Sequence, residues 1–247
     1  MKLVELKNIS KIYHTNNNEI LALKDISFEI NSGDFIAIVG PSGCGKSTIL
    51  SILCGLENKS SGEIIKDNDL KLGFMFQKDT LFDWMTIMDN CLLGVKISKD
   101  VNKDTIKHCE DLLKSYGLYE FKDSYPNELS GGMRQRVALI RTLMLNPDIL
   151  LLDEPFSALD YQNRLTISED VYKIIKNENK TTLMVTHDVG EAVSMANIVI
   201  VLSERPAVIK NIYKIEYDKK STPIKNRLNP EFNLYCDKIW RDLNVIQ

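Results

Sequence analysis

The sequence predicts an α/β fold in which a mainly parallel β-sheet is interrupted by a helical insertion. From residue 149 to residue 202, short apolar strands alternate with helical periodicity, which is typical of a parallel sheet covered by helices on both faces. The middle of the chain instead carries three helical patterns in succession. We therefore expect one domain over residues 1–247, with a helical insertion at about 78–145 and a C-terminal tail at about 206–247.

The individual elements follow from the spacing of apolar residues, because a period of two predicts strands and a period of three to four predicts helices. The predicted strands are Val4–Ile9, Leu21–Ile30, Asp34–Val39, Leu72–Phe76, Ile149–Leu152, Thr182–Val185 and Ile198–Leu202, with a strand pair between Val208 and Tyr217. The predicted helices are Lys46–Gly55, Ile87–Val95, Lys103–Tyr116, Gly131–Leu145, Tyr161–Lys176, Val189–Ala196 and Glu231–Ile246. Asn16–Asn18 is predicted to be a turn or a short flexible loop.

A glycine-rich loop follows the third predicted strand and precedes the first predicted helix. Residues 40–47 match the phosphate-binding pattern G-x-x-x-x-G-K-[ST] in full, in the strand–loop–helix context that the pattern requires. Its glycines let backbone N–H groups surround an anion, and the helix directs its positive end to the same point. Lys46 provides a cation for the β- and γ-phosphates, and the Ser47 hydroxyl can coordinate Mg²⁺. The candidate nucleotide-binding residues here are Gly40, Pro41, Ser42, Gly43, Cys44, Gly45, Lys46, Ser47 and Thr48.

Two carboxylates end the apolar run that begins at Ile149. Asp153 and Glu154 are placed at the carboxyl edge of the predicted sheet, where ligands bind in parallel α/β folds. Asp153 is predicted to share the Mg²⁺ with Ser47, and Glu154 to orient and deprotonate a water molecule beside the γ-phosphate. On its own, such a pair is more often a strand end that meets solvent. The phosphate loop earlier in the chain favours the catalytic interpretation instead.

Composition excludes several other classes of protein. With 31 Lys and Arg against 34 Asp and Glu, the net charge is -3, so we expect no nucleic-acid partner. The five cysteines include no C-x-x-C pair, which favours reduced packing thiols over disulfides or a zinc site. No apolar run approaches the roughly 18–20 residues of a membrane span, and the first residues lack a signal-peptide core, so the sequence predicts a soluble intracellular chain. The C-terminal tail carries a basic cluster, Lys219, Lys220, Lys225 and Arg227. This cluster is either a solvated face or a face that lies near anionic lipid headgroups.

A third motif is more specific than the phosphate loop, which many ATPases and GTPases share. Residues 129–136, LSGGMRQR, resemble the L-S-G-G-Q signature of ATP-binding cassette (ABC) transporter ATPases, and the resemblance runs from about residue 3 to residue 205. Ser130, Gly131 and Gly132 open a helix whose N-terminus can hold a phosphate. An ordinary Ser helix cap is the alternative for this motif. The resemblance implies a P-loop NTPase core with an N-terminal antiparallel β subdomain and an inserted α-helical subdomain.

The resemblance also implies roles for single residues. Tyr13 stands where an aromatic ring stacks on adenine, although a core aromatic is the alternative. Gln77 resembles the loop glutamine that contacts Mg²⁺ and water, and His187 resembles the histidine that contacts the γ-phosphate. Residues 157–160 resemble the loop that crosses to the other active site of a dimer, which places Asp160 near nucleotide.

As implied by the resemblance, two copies of the chain form a homodimer that binds ATP between one phosphate loop and the other signature. Separate membrane permease subunits, with an extracytoplasmic solute-binding protein in the complex, would place the chain at the cytoplasmic face of the cell membrane. Met133 in the signature and residues 83–86, DWMT, resemble the nitrate, sulfonate and taurine importers, although Asp83 stands where that branch more usually has Pro.

The sequence is compatible with more than one interpretation of two features. An apolar cluster follows Gln77 and consists of Leu81, Phe82, Trp84 and Met85. It forms either a surface for a permease helix or a hydrophobic cluster that packs the insertion onto the sheet. The alternative functions are a regulatory or envelope-remodelling ABC ATPase, and a soluble ABC ATPase of nucleic-acid repair, chromosome maintenance or translation. The last is disfavoured because the chain carries one cassette and no sustained heptads.

Overall fold

A computed structural model describes residues 1–14, 18–157, 159–217 and 221–244. Parts of four sequence predictions lie outside these ranges: Asn16 and Asn17 of the turn, Ala158 of the loop 157–160, Lys219 and Lys220 of the basic cluster, and Ile246 at the end of the last helix.

Within the described residues the chain forms nine β-strands and eight α-helices. The strands are β1 (Lys2–His14), β2 (Glu19–Asn31), β3 (Phe35–Val39), β4 (Ser61–Lys66), β5 (Leu72–Met75), β6 (Ile149–Asp153), β7 (Thr181–Thr186), β8 (Ile198–Leu202) and β9 (Ile209–Lys214). The helices are α1 (Lys46–Leu53), α2 (Ile87–Ile97), α3 (Lys103–Ser115), α4 (Gly131–Leu143), α5 (Tyr161–Asn177), α6 (Val189–Met195), α7 (Pro223–Asn226) and α8 (Pro230–Asp242).

The chain divides into two compact units, and the first comprises Met1–Leu70 together with Thr181–Gln247. One of its sheets is antiparallel, with the order β2-β1-β4. Its central strand β1 pairs with both neighbours, so that Glu5 lies opposite Glu29 of β2 and Ile65 of β4. This sheet confirms the predicted N-terminal antiparallel β subdomain.

The other strands of the first unit are mainly parallel. β3 pairs in parallel with β7 on one side and with β8 on the other, and β9 joins β8 in antiparallel orientation. All five residues of β3 and all six of β7 are buried. Such continuous burial is expected of parallel strands that are covered on both faces. It explains why the sequences of these strands are apolar runs without a strict alternation of apolar and polar residues.

The second unit, Lys71–Lys180, contains the helical insertion. β5 and β6 pair in parallel from Leu72 opposite Ile149 to Met75 opposite Leu152. Around this pair the helices α2, α3, α4 and α5 confirm the four helices predicted for this part of the chain. Short 3₁₀ turns at Tyr119–Phe121 and Pro126–Glu128 link α3 to α4.

Three elements differ from the sequence prediction. The expected strand pair between Val208 and Tyr217 is a single strand, β9, because its partner is β8 rather than a second half of the same segment. β4 and the short helix α7 carry no clear periodicity and were not predicted. All five cysteines are free thiols, of which Cys44, Cys91 and Cys109 are buried.

Candidate active site

The glycine-rich loop in the first unit connects β3 to α1. Gly43 and Gly45 have φ angles of +72° and +120°, which favour glycine, and Gly45 stands at the N-cap of α1 without a capping side chain. A Cβ atom on Gly45 would lie 2.8 Å from Cδ2 of Leu23, so the loop is also too crowded there for a side chain. The backbone therefore adopts the tight, strand-to-helix path that an anion-binding loop needs.

Lys46 is only 5% exposed and folds across this loop. Its Nζ donates hydrogen bonds to the carbonyl oxygens of Gly40, at 2.9 Å, and Pro41, at 3.1 Å. Cys44 is buried in the same loop, and burial raises the pKa of its thiol, although the positive charges of Lys46 and Arg205 act in the opposite direction. The loop thus holds a buried cation at the amino end of a helix, an arrangement that attracts phosphate.

Tyr13 lies near the end of β1 and is tied to the same helix. Its hydroxyl is 3.3 Å from the Thr48 hydroxyl in the first turn of α1. Tyr13 is half-buried rather than part of a closed core. The ring is therefore partly accessible beside the first turn of α1.

In the second unit, β6 delivers two carboxylates, as the sequence predicts. Glu154 has a φ angle of +44°, which is unusual for a residue with a side chain and is typical of functional sites. Its carboxylate Oε2 accepts a hydrogen bond from Nε2 of Gln77 at 3.2 Å, and the same amide contacts Oγ of Ser157 at 3.3 Å. The structure thus brings together two predicted catalytic residues that are 77 positions apart. Asp153, the last residue of β6, is half-buried beside them in the chain.

His187 follows β7 directly and is exposed. The turn that presents it is held by hydrogen bonds from Thr186 Oγ1 to Glu191, at 2.6 Å, and from the Asp188 N–H to Thr186, at 3.0 Å. Asp188 also caps α6 by accepting from the Glu191 N–H. His187 therefore lies at a fixed strand end in the first unit, as its position in the sequence predicts.

The signature motif in the second unit opens α4. Ser130 is the N-cap, and its Oγ accepts a hydrogen bond from the Met133 N–H at 3.4 Å. Ser130 and Gly131 are exposed, which leaves the helix end accessible. Asp160 plays the same part for α5, where the hydrogen bond from the Asn163 N–H lowers the pKa of the Asp160 carboxyl. Both predicted dimer-facing residues thus stand at exposed helix starts.

The signature helix is linked to the segment that follows Gln77. Arg134 donates two hydrogen bonds to Asp79, from Nε at 2.7 Å and from Nη2 at 3.0 Å, and lies 3.5 Å from a carboxylate oxygen of Asp83. Burial acts to raise the pKa of Asp79, but the hydrogen bonds and charge of Arg134 outweigh it and the pKa is lowered. Sequence reasoning missed this link, because two exposed-looking Asp residues give no sign of a partner 55 positions away.

Beside this link the second unit has an exposed apolar surface. A cavity of about 390 Å³ is lined by Phe74, Phe76, Thr80, Phe82, Leu93, Gly94, Ile97, Arg141, Thr142 and Leu145. Trp84 is 74% exposed, and its ring centroid lies 4.9 Å from that of Phe82. Asn90 fixes the backbone here, because its amide bonds the Phe82 N–H and three carbonyls between Phe82 and Thr86.

Arg205 is a second residue that sequence reasoning missed. It is exposed, and its Nη2 donates a hydrogen bond to the Gly43 carbonyl of the phosphate loop. Together with Glu204 it lines a cavity of about 370 Å³ beside Pro41, Ser42, Gly43 and Cys44. A lone Arg after the last parallel strand carries no sequence signal for this contact.

A protein-family model described as ABC transporter matches residues 23–157, which is more than half of the 247-residue chain. The chain belongs to the ABC transporter family. The matched segment includes the phosphate loop, the signature motif and β6. This ABC chain is an ATPase that binds ATP, and its ATP hydrolysis is coupled to transport.

Known proteins resemble this ABC ATPase over nearly its whole length. YtlC of Bacillus subtilis, an uncharacterized ABC transporter ATP-binding protein, is 39% identical, and the alignment covers 100% of this chain and 98% of YtlC. The aliphatic sulfonates import ATP-binding protein SsuB of Bacillus thuringiensis subsp. konkukian is 36% identical, over 96% of this chain and 94% of SsuB. The nitrate import ATP-binding protein NrtD of Synechocystis is 38% identical, over 96% and 93%.

The fold is also that of a solved ABC cassette. The dimeric post-hydrolysis structure of MJ0796, bound to ADP and Pi, superimposes with a TM-score of 0.70 at 32% identity, covering 87% of this chain and 99% of that chain. This similarity confirms the predicted α/β cassette fold. None of the helices among the described residues combines the length and apolar character that a membrane span needs.

Proposed function

We propose that this ABC ATPase binds ATP with Mg²⁺, forms a homodimer around it, and powers the import of a small solute through separate permease subunits. The observation that carries the proposal is the hydrogen bond between Gln77 and Glu154 at the carboxyl end of β6. It supports a hydrolytic role for both residues, because a base that acts on water needs a partner that fixes its orientation.

Nucleotide binding is assigned to the phosphate loop and Tyr13. The backbone N–H groups of residues 40–48 and the Lys46 ammonium would hold the phosphates, and the ring of Tyr13 would stack on the base. Lys46 already lies against the loop, so binding requires it only to exchange carbonyl partners for phosphate oxygens.

The donor set fits Mg²⁺. Ser47, Asp153 and Gln77 provide a hydroxyl, a carboxylate and an amide oxygen, which are the hard ligands that Mg²⁺ prefers. Within residues 1–14, 18–157, 159–217 and 221–244 no cluster of three or more His, Cys, Asp or Glu side chains could enclose a metal. Mg²⁺ at nucleotide sites is held by one or two protein groups together with phosphate oxygens and water. The ion would neutralise charge on the phosphates.

Hydrolysis is assigned to Glu154, Gln77 and His187. Glu154 would take a proton from water while the water oxygen bonds to the γ-phosphorus and the bond to the β–γ bridging oxygen breaks, which leaves ADP and phosphate. Gln77 would hold the Glu154 carboxylate, and His187 would donate a hydrogen bond to the γ-phosphate. The hydrogen bond between Gln77 and Glu154, and the position of His187 directly after β7, support these roles.

The homodimer is assigned to the exposed helix starts. The start of α4 and its cap, with Ser130, Gly131 and Gly132, would face the nucleotide that the partner's phosphate loop binds. Asp160, the cap of α5, would face the same nucleotide. The dimeric structure of MJ0796 with bound ADP and Pi supports this assignment.

The permease would dock on the apolar surface around Phe82 and Trp84. An exposed cavity with an aromatic rim is suited to a short helix of a membrane protein. This role places the chain at the cytoplasmic face of the membrane, with a solute-binding protein on the other side. The names of SsuB and NrtD, which specify aliphatic sulfonates and nitrate, support a small oxyanion as solute and an importer of the nitrate, sulfonate and taurine type.

The Glu154→Gln variant tests the hydrolytic assignment. We expect ATP affinity to be retained, hydrolysis to fall by a factor of about 10² or more, and an ATP-bound dimer to accumulate in size-exclusion chromatography. Glu63→Gln, on an exposed position of β4, is the matched control and should behave as wild type. Wild-type turnover by Glu154→Gln would remove Glu154 as the base.

A second measurement tests the import assignment. The chain is purified with the membrane protein that it retains, and its ATPase rate is measured with the binding protein and with nitrate, taurine or an aliphatic sulfonate. Stimulation by one of these solutes supports the importer. A retained complex that responds to none of them contradicts the proposed solute class.

A further inference from the structure

We propose that Lys11 is a positioning residue for the nucleotide base: its ammonium covers one face of the Tyr13 ring and ties that ring to the helix of the phosphate loop. The inference rests on the proposed function, in which Tyr13 stacks on the base. It adds a residue that neither the phosphate loop nor the signature motif includes.

Lys11 and Tyr13 are two residues apart on β1, so their side chains share a face of the strand. Nζ of Lys11 lies 4.7 Å from the centroid of the Tyr13 ring. The pairing of β1 with β2 shifts register on both sides of Lys11. Such irregularities redirect side chains, and here the result is a lysine that is only 9% exposed.

A buried ammonium requires partners, and those of Lys11 come from the segment after α1. Nζ donates to Oε2 of Glu57 at 2.9 Å and to the carbonyl oxygen of Asn58 at 2.7 Å. This segment is itself fixed to α1, because the N–H groups of Leu56 and Glu57 both donate to the Ser51 carbonyl, at 2.9 Å and 3.1 Å. Lys11 therefore connects the strand of Tyr13 to the carboxyl end of the phosphate-loop helix.

A second connection reaches the other end of the same helix. The Tyr13 hydroxyl lies 3.3 Å from Thr48, in the first turn of α1. With both connections the ring is held relative to α1, and hence relative to the loop that binds the phosphates. In a nucleotide the ribose limits the distance between base and phosphates, so a fixed ring selects bases that reach it.

The ammonium also makes the two faces of the ring unequal. A cation over the face of an aromatic ring is attracted by the ring quadrupole and occupies the space above it. A base must then stack on the opposite face. Lys11 contributes nothing to a ligand that lacks a base, and this provides the test.

The test compares ATP with inorganic tripolyphosphate, both measured by isothermal titration calorimetry on the purified chain. For Lys11→Met, which keeps an unbranched side chain one atom shorter and removes its charge, we expect ATP to bind about 3- to 10-fold more weakly. Binding of tripolyphosphate should not change. Lys11→Arg, which keeps a cation, should recover part of the ATP affinity.

Lys114→Met is the matched control, because Nζ of Lys114 lies 4.6 Å from the ring of Tyr119 and neither residue has an assigned role in nucleotide binding. It should leave both affinities unchanged. If Lys11→Met does not fold, Glu57→Gln, which removes the ionic anchor, carries the test and should weaken ATP by about 2-fold with no effect on tripolyphosphate.

The outcomes separate the inference from the proposed function. Equal weakening of ATP and tripolyphosphate by the Lys11 variant, or no weakening of either, overturns the positioning role. Tyr13→Ala serves as the reference: if it leaves ATP affinity unchanged, the stacking assignment itself fails. Weak ATP binding by Tyr13→Ala with normal binding by Lys11→Met refutes the Lys11 inference alone.

Discussion

Replacing Gly132 of the signature motif by alanine is expected to destabilise the fold by about 1 kcal/mol, although alanine is the better helix former. Sequence reasoning assigns this glycine to phosphate binding at the start of α4. The structure gives it a packing role as well, because α4 meets α5 at this position.

The magnitude follows from the space beside the glycine. A Cβ atom on Gly132 would lie 2.2 Å from Cδ1 and 3.0 Å from Cγ1 of Ile167, which is only 7% exposed. Forcing such a side chain aside costs about 1–3 kcal/mol, whereas Gly→Ala in a helix recovers about 1 kcal/mol. The neighbouring Gly131 is the control, since its Cβ would lie 3.5 Å from Leu159, an ordinary contact. Gly131→Ala should therefore be neutral or slightly stabilising.

Urea unfolding followed by circular dichroism measures both variants, and a double-mutant cycle identifies the cause. Ile167→Val removes Cδ1, the nearest atom, so Gly132→Ala should cost little in that background. We expect a coupling energy of about 1 kcal/mol between the two sites. Equal stability of the Gly131 and Gly132 variants, or the absence of coupling, would refute the packing role and leave the glycine to phosphate binding alone.

The other predictions concern titrating groups. Asp79→Asn should destabilise the fold by about 1–3 kcal/mol at pH 7, because Arg134 loses its charged partner. The pKa of Asp79 is lowered in the fold, so its contribution is complete above its unfolded pKa of about 4 and is lost as the pH falls through the lower folded value. The urea midpoints of the wild type and of Asp79→Asn should converge in acid. A difference between the two midpoints that does not change with pH would contradict the ion pair. Burial raises the pKa of Cys44, so alkylation by a maleimide should be slow at pH 7, accelerate with rising pH, and be prevented by ATP. Arg205→Ala removes a nearby cation and should slow the alkylation of Cys44 further. Faster alkylation of this variant would show that the loop has opened.

Local patterns explain which elements the sequence predicts. The strands that surround the phosphate loop and the helices of the second unit follow from apolar spacing over fewer than twenty residues, and the structure confirms them. β4 has mostly exposed residues and no alternation of buried and exposed side chains. It is held in the sheet by its pairing with β1. A strand that depends on a partner from a distant part of the chain has no local signal.

The same limit applies to the candidate site. Glu154 is predictable because it follows an apolar strand, and strand ends are visible in the sequence. The roles of Gln77 and His187 come from the resemblance to ABC ATPases, and both residues also lie shortly after strands. The partners of Lys11 are 46 and 47 positions away, and no rule for a lysine in a strand predicts burial. A register shift in β1 decides where that side chain points, and register is a property of the sheet rather than of the strand.

Asp83 shows how a departure from a family pattern acquires a physical meaning. Where the importers that this chain resembles more usually have Pro, Asp83 lies 3.5 Å from Arg134 of the signature helix. Arg134 already binds Asp79, so one guanidinium on α4 holds two carboxylates of the segment that precedes the apolar surface around Trp84. Asp83 is 67% exposed and its pair is weak, while the Asp79 pair has two short hydrogen bonds and little exposure. Asp83 therefore adds a weak contact to a connection that Asp79 maintains.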